Sequence, residues 1–270
     1  MSILSLAPRR LRWAVSDTLV LTGRSMSHWA RQPAELIIGL LFPVLMVLMF
    51  GYLFGGAIAV PGGGDYREFL LPGMFAMTMA FGVEASYAAV AADAARGVTD
   101  RFRSLPMARS AVVTGRALAD LLHSAAGLAV MLACGWLVGW QWRNGLAPAL
   151  AAVGLLLLLR VALIWVGIHL ALVLRRPESV MVLQILVWPV GFTSNAFVAP
   201  QTMPGWLAPI AQWNPLSATV AACRELFGNP GWGGDSFAAQ HAVALAVAWP
   251  VLLVAVFLPL SVRRYRQLSR

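Results

Sequence analysis

SVMVLQILVWPVGFTSNAFVAPQTMPGWLAPIAQWNPLSATVAAC, residues 179–223, contains no Asp, Glu, Lys or Arg. A membrane-crossing helix needs about 20 mostly apolar residues to span about 30 Å of hydrocarbon, so the stretch has length enough for two. Its prolines argue for one. Pro200, Pro204, Pro209 and Pro215, with Gln201, Gln212 and Asn214, cannot cross lipid as regular helix, because backbone groups freed by proline need partners that hydrocarbon does not offer. The stretch therefore reads as one span, 180–197, followed by an outer re-entrant segment that dips back without crossing. Trp206, Trp213 and Trp232 suit the interface, where an amphipathic ring sits at headgroup level.

Five more apolar runs, 36–54, 70–92, 112–139, 148–174 and 242–262, complete an expected bundle of six spans. Hydrophobic residues make up 60% of the chain and charged residues 11%, against about 45–50% and about 25% in soluble domains. The arginines sort by side. Arg9, Arg10, Arg12, Arg24 and Arg31 precede the first run; Arg96, Arg101, Arg103, Arg109 and Arg116 follow the second; Arg175 and Arg176 follow the fourth; Arg263, Arg264, Arg266 and Arg270 follow the last. Only Arg67, Arg143 and Arg224 fall on the other side. The arginine-rich side is cytoplasmic under the positive-inside tendency, which puts both ends inside a plasma (inner) membrane. Two spans within 179–223 would move the final arginines outside, so charge and proline agree.

The expected product is an all-α membrane protein of one domain, 1–270. Residues 1–34 are cytoplasmic, 36–262 form the six-span bundle, and 263–270 form a cytoplasmic tail. Leu6, Leu11, Trp13, Val15, Leu19, Val20 and Trp29 among arginines suggest an interfacial helix over 5–34 on the inner leaflet. No small-residue cleavage site follows a short hydrophobic stretch, so the first span is expected to stay in the mature protein. The net charge of +9 sits between apolar runs and not on a polar face, which speaks against nucleic-acid binding.

All 20 basic residues are arginine. Without lysine the chain has no phosphate-loop or Schiff-base chemistry. Cys134 and Cys223 have no metal-like spacing and read as packing residues. Gly62-Gly63-Gly64-Asp65 matches an intramembrane aspartyl-protease string but lies in a polar loop without a suitable second aspartate. No serine elbow or zinc helix occurs, so no catalytic residue, metal or cofactor is expected in this chain.

The most distinctive loop is Arg96-Gly97-Val98-Thr99-Asp100-Arg101-Phe102-Arg103-Ser104-Leu105-Pro106-Met107-Ala108-Arg109, on the cytoplasmic side between spans two and three. Gly97 permits a sharp exit, Pro106 closes a short helix, and Phe102 and Leu105 share one face. An apolar stripe with a basic back can seat in a groove on a cytoplasmic partner. A plain positive-inside loop is the simpler alternative.

This string, followed by Gly115-Arg116, resembles the coupling-helix segment of ABC-2 type transport permeases, most closely the daunorubicin-resistance membrane-subunit subfamily. The strings 197–207 (FVAPQTMPGWL) and Trp213-Asn214-Pro215-Leu216 resemble that family's outer re-entrant region, where Pro204 and Trp206 also fall. The resemblance covers nearly the whole chain in span order. It implies a permease that dimerises, with itself or a second permease, and recruits two copies of a separate ATPase subunit holding ATP and Mg. Arg96, Gly97, Asp100, Arg101, Phe102, Arg103, Leu105 and Pro106 would couple to that ATPase, and spans two and five would border the substrate path.

Met74, Met77, Phe81, Glu84 and Tyr87 in span two and Trp188, Phe192 and Asn195 in span five are the candidate path residues. Flexible thioethers and aromatic faces suit varied apolar cargo. Glu84, Asp120, His123 and Arg160 are ionisable within spans, at about 2.5–3.5 kcal/mol each on insertion scales. Arg160 needs a partner, with Asp120 and Glu84 both in reach; a structural pair is the plain reading and proton coupling through Glu84 the sharper one. Gly51 with Gly55, and Gly135 with Gly139, have the spacing of close helix packing. The expected function is the membrane subunit of an ATP-binding-cassette exporter moving a hydrophobic or amphipathic compound such as a drug or antibiotic. The alternatives are an exporter of lipid or glycoconjugate, and a polytopic enzyme or assembly factor with no ATPase.

Overall fold

In hydrocarbon every backbone N–H and C=O has to find its partner inside its own segment, so apolar runs of this length fold as helices. The structure is a computed structural model describing residues 18, 20, 22, 23, 33–53, 65–95 and 109–267. Every regular element among them is helical. In chain order they are α1 (Pro33–Leu48), running on into a π turn at Met49–Leu53, α2 (Tyr66–Ala95), α3 (Arg109–Leu137), α4 (Leu146–Leu174), α5 (Val180–Phe192), α6 (Leu207–Trp213), α7 (Pro215–Phe227), α8 (Phe237–Gln240) and α9 (Ala242–Gln267). Helical stretches over Tyr66–Ala95, Val113–Leu137, Leu146–Leu174 and Ala242–Tyr265 are long and apolar enough to cross a membrane; Ile37–Leu53 and Val180–Phe192 are apolar but shorter.

Stop signals set the ends. At the end of α3, Trp140 N–H donates to the Gly135 carbonyl and Gly139 N–H to the Trp136 carbonyl, with Gly139 at φ +99°. That double closure needs a left-handed residue, which glycine supplies without strain. Gly139 is thus a turn residue, not half of a packing pair. Gly135 does pack closely: a Cβ there would lie 3.2–3.4 Å from Phe75, Leu71 and Trp140. A Cβ on Gly51 would touch the Arg67 stem at 3.4 Å. Gly55 lies outside the described residues.

The fifth run departs most from expectation. Helix α5 stops at Phe192, not at 197, after 13 residues, or about 20 Å at 1.5 Å each. The run Thr193-Ser194-Asn195 ends it: the Thr193 hydroxyl donates to the Pro189 carbonyl (2.7 Å) and the Ser194 hydroxyl to the Gly191 carbonyl (2.5 Å). Helices α6 and α7 then form a hairpin whose tip, Asn214, donates to the Val190 carbonyl of α5 (2.8 Å) and accepts from Leu216 N–H (2.9 Å).

Helix α4 is the centre of the bundle, packing on α2, α9, α7 and α3. Its approach to α2 is close because Gly167 has no side chain: a Cβ there would sit 2.7 Å from the Val83 carbonyl oxygen. At the end of α3 nearer the N-terminus of the chain, the Thr18 and Thr114 hydroxyls lie 3.1 Å apart and Thr22 donates to the Gly115 carbonyl (3.2 Å). The rest of the interfacial helix expected over 5–34 lies almost wholly outside the described residues. Large apolar side chains such as Ile37, Ile38, Leu41, Ile185 and Val251 stand exposed on the outside, as they must where the solvent is hydrocarbon.

Overpacking a tight contact costs about 1–3 kcal/mol. Gly167→Ala should therefore lower the unfolding midpoint of the detergent-purified protein clearly. Gly154→Ala on the same helix, where a Cβ meets nothing within 4 Å, should leave it unchanged or slightly raised. Equal responses at the two positions would contradict the close α2–α4 approach.

Candidate functional site

Three constellations carry the polar and aromatic chemistry of the bundle. The first is Arg224, on α7, with 1% of its surface exposed. It donates to the carbonyls of Phe69 (Nε, 3.0 Å), Asn195 (Nη1, 3.0 Å) and Ala196 (Nη2, 2.8 Å), and its guanidinium carbon lies 3.8 Å from the Phe69 ring centroid. No carboxylate faces it in an ion pair among the described residues. Three charge-assisted bonds at about 1.5–3 kcal/mol each and a desolvated cation–π contact of about 2 kcal/mol offset several kcal/mol of ion desolvation. The site is a clamp, joining the start of α2, the break after α5, and α7.

Around it the loops are fixed in turn. Trp232 Nε1 donates to the Asn195 carbonyl (2.8 Å) and Trp140 Nε1 to Asn229 Oδ1 (2.8 Å). Arg143 reaches Glu68 at 2.6 Å, and that carboxylate raises the guanidinium above its ordinary value. At Asp65, burial pushes the carboxyl up, but hydrogen bonds and charge from Arg67 at 2.9 Å outweigh it and hold it below the ordinary value.

The second constellation is Arg160, on α4, 2% exposed. Its Nε donates to Ser124 Oγ of α3 (2.6 Å) and its Nη2 to Ser86 Oγ of α2 (2.9 Å), while Nη1 has no partner among the described residues. The guanidinium lies flat against Gly82, where a Cβ would come within 2.6 Å of it. The expected pairing of Arg160 with Asp120 or Glu84 is not formed. Arg116, one turn before Asp120 on α3, takes that carboxylate at 3.0 Å and reaches Asp93 of α2 at 3.9 Å. The i,i+4 neighbour wins because it is already positioned by the helix. Glu84 instead faces Gln184 of α5. The partners of Arg160 are serine hydroxyls instead, Ser124 one turn from Asp120 and Ser86 two residues from Glu84.

The third is a row of rings along α1, α2 and α5. Trp188 stacks on Phe192 (5.6 Å between centroids, 18°) and Phe192 on Phe197 (5.4 Å, 23°); Phe81 lies 4.7 Å from Trp188 and Phe42 5.3 Å, and Phe50 closes the far end on Phe197 at 5.4 Å. Phe42 and Phe192 are 40% and 48% exposed. Stacked, half-open aromatic faces favour flat apolar molecules through area and quadrupole.

Of the path residues read from sequence, Phe81, Trp188 and Phe192 come together, with Met77 beside Gly191 of α5. Met74 and Tyr87 do not join them: both are core residues, and the Tyr87 hydroxyl donates to the Arg176 carbonyl (2.8 Å). Asn195 belongs to the Arg224 clamp. In the outer segment Pro204 starts α6 by accepting from Leu207 N–H (2.8 Å), Trp206 is 71% exposed, Trp213 stacks on Phe237, and Asn214 and Pro215 open α7. The coupling residues Arg96, Gly97, Asp100, Arg101, Phe102, Arg103, Leu105 and Pro106 lie outside the described residues. Arg224 was read as one more outer charge. The signal that marks it is the Asn214-Pro215 helix start with Gly228 just past the end, which puts Arg224 inside a short helix and not in a loop.

A family model described as ABC-2 type transporter matches residues 16–227. The chain is 35% identical over 267 residues to the daunorubicin resistance ABC transporter permease protein DrrB1 of Streptomyces coeruleorubidus, covering 98% of this chain and 92% of that one. It is 26% identical over 233 residues to a probable doxorubicin resistance ABC transporter permease protein, DrrC, of Mycobacterium tuberculosis, covering 82% and 83%. It is 28% identical over 222 residues to the putative transport permease ycf38 of Cyanophora paradoxa, covering 81% and 76%.

Arg224→Leu would take a donor from three buried carbonyls, of which that of Asn195 keeps Trp232 Nε1, at roughly 1–3 kcal/mol for each one left unsatisfied. Hydrogen exchange should then rise at residues 193–199 and 66–70 while α4 stays protected. Arg224→Lys should give an intermediate rise, since an ammonium lacks the planar fork. Unchanged exchange in Arg224→Leu would remove the clamp from the account.

Proposed function

The chain belongs to the ABC-2 type transporter family, and from that membership we propose that it is the membrane permease of an ATP-driven exporter of hydrophobic or amphipathic drugs. The observation that carries this reading is the likeness, over nearly the whole length of both chains, to a permease named for daunorubicin resistance. The six-span arrangement with both ends cytoplasmic is part of the proposal, supported by the arginine sorting, by four helical stretches long and apolar enough to cross and by two shorter apolar ones, Ile37–Leu53 and Val180–Phe192. In it, α6 and α7 dip from the outer face and return.

ATP and Mg bind on a separate ATPase subunit, present in two copies, and two permeases form the path. The segment 96–106 seats in the ATPase through Phe102 and Leu105. It leads at one end from α2 and at the other into α3, so movement there acts first on Asp93, Arg116 and Asp120, the ionic row that joins those helices. Helices α2 and α3 in turn hold the two serines of Arg160. The ring row of Phe81, Trp188 and Phe192 offers cargo a stacking surface on α2 and α5, and a shift between these helices changes its width.

Two measurements test this. The permease should co-purify with its ATP-binding subunit, and Phe102→Ala with Leu105→Ala should weaken that association about 30-fold, a hot-spot loss; full retention would end the coupling role of this segment. In cells expressing both subunits, Trp188→Ala should lower the apparent affinity for a planar aromatic drug about 2- to 10-fold, the worth of one aromatic contact, with ATPase binding intact. Undiminished efflux in that variant would move the path elsewhere.

A further inference from the structure

Two carboxylates and two guanidiniums stand between α2, α3 and α4: Asp93 and Asp120, Arg116 and Arg160. Their pairing is lopsided. Arg116 lies 3.0 Å from Asp120 and 3.9 Å from Asp93, while Arg160 pairs with no carboxylate among the described residues. We propose that Asp120 is a positioning residue that exchanges Arg116 for Arg160 when the ATPase moves the segment 96–106. The driving movement rests on the exporter reading above; the exchange itself rests on the geometry of the three helices.

Both ends of the second pair are in place. Arg160 commits Nε and Nη2 to Ser124 and Ser86, and its Nη1 is buried without a partner among the described residues; so is Asp120 Oδ2. The two residues are 2% and 5% exposed. A buried donor and a buried acceptor left unmet each carry a desolvation cost that their pairing removes. They are also neighbours. Ser124, which receives Arg160 Nε at 2.6 Å, follows Asp120 by one turn of α3 and donates to its carbonyl (2.8 Å). Side chains so spaced have Cβ atoms about 5–6 Å apart, and the charge of Asp120 acts on the Arg160 guanidinium.

The present pair is the looser one. Arg116 Nε makes no hydrogen bond despite its 3.0 Å approach, and the Arg116 side chain is 25% exposed, so solvent screens it. A pair with Arg160 would form at far greater depth, where charges attract more strongly. Arg116 precedes Asp120 by one turn and Ser124 follows by one, so the carboxylate stands between two cations. Turning about χ1 between the two staggered wells a helix favours re-aims it without moving the backbone. The trigger is a slide of α3 against α2 that closes the 3.9 Å gap from Arg116 to Asp93 and draws Arg116 off Asp120. Each guanidinium then holds one carboxylate, and the tie between α3 and α4 gains an ionic bond it lacks before the movement.

The test uses the permease–ATPase complex in lipid nanodiscs and reads the ATP concentration that half-traps nucleotide in the presence of orthovanadate. Asp120→Asn and Arg160→Gln should each raise it about 10-fold, within the range for residues in contact, and the double variant should raise it no further. Asp120→Asn combined with Arg116→Gln should show coupling of the opposite sign, because that pair belongs to the state left behind. Coupling of one sign in both cycles, or none in either, would overturn the exchange; a fixed structural network gives none, since its bonds are equal in the two states. A structure of the trapped wild-type complex decides independently of any variant that fails to assemble. It should show Asp120 within 4 Å of Arg160, the usual limit for an ion pair, and Arg116 on Asp93. Asp120 still on Arg116 in a complex that traps nucleotide would end the exchange and leave the exporter standing. A wild-type permease that neither binds an ATPase nor traps nucleotide with it would end the exporter reading, and the exchange would fall with its driver.

Discussion

A helix that ends inside a bilayer leaves carbonyls that hydrocarbon cannot satisfy, and the part of this protein around the end of α5 is organised around that constraint. Helix α5 is about 20 Å long, short of a crossing by roughly a third. The carbonyls of Asn195 and Ala196, just past its end, are taken up by Arg224. The same guanidinium takes the Phe69 carbonyl in the first turn of α2, next to Pro72, the proline inside that helix. A charge stationed on α7 thereby makes the break possible, and the hairpin that carries α7 becomes part of the bundle instead of a surface loop.

Arg160 solves a related problem lower down. The α2–α4 approach depends on Gly82 and Gly167, and at Gly82 the missing side chain is replaced by a guanidinium from the facing helix. Serine hydroxyls on α2 and α3 receive it. Neutral oxygens hold an ion less firmly than a carboxylate does, so Arg160 joins three helices without locking them as a buried ion pair would. The carboxylate row that could have locked it is drawn off by Arg116. A joint of this kind suits a bundle whose helices must shift against one another, since a firm ionic lock at mid-depth would resist the shift.

Much of this was legible in the sequence because hydrophobic length and arginine placement are one-dimensional signals. The runs over 148–174 and 242–262 match α4 and the apolar part of α9 nearly end to end. The proline-rich stretch after α5 was readable as interrupted helix, since proline removes donors wherever it stands. The stop at Phe192 was not, because Thr193 and Ser194 act through side-chain bonds to the preceding turn, and such residues also sit in ordinary helix interiors. The partners of Arg160 and the role of Arg224 were out of reach for another reason. Both depend on which helices become neighbours, a fact of packing that no local pattern carries. The aromatic row was half readable: Trp188 and Phe192 are one turn apart on α5, but Phe81, Phe42 and Phe50 join them only through tertiary contact.

The absence of lysine from the chain then has a structural sense beyond orientation. Positive-inside sorting would be served equally by either residue, but the two buried sites would not. Arg224 faces three carbonyls from two separate segments while also lying over a ring. A planar fork of five donors can meet them at once, and a weakly hydrated guanidinium tolerates burial better than a compact ammonium. Arg160 uses the same planarity differently, lying face-on to Gly82 while its edge reaches two serines. An ammonium there would need a rounder space and would lose its proton more readily on burial. Both sites thus select for shape as much as for charge, and shape is what lets a cation act as backbone partner in a solvent that provides none.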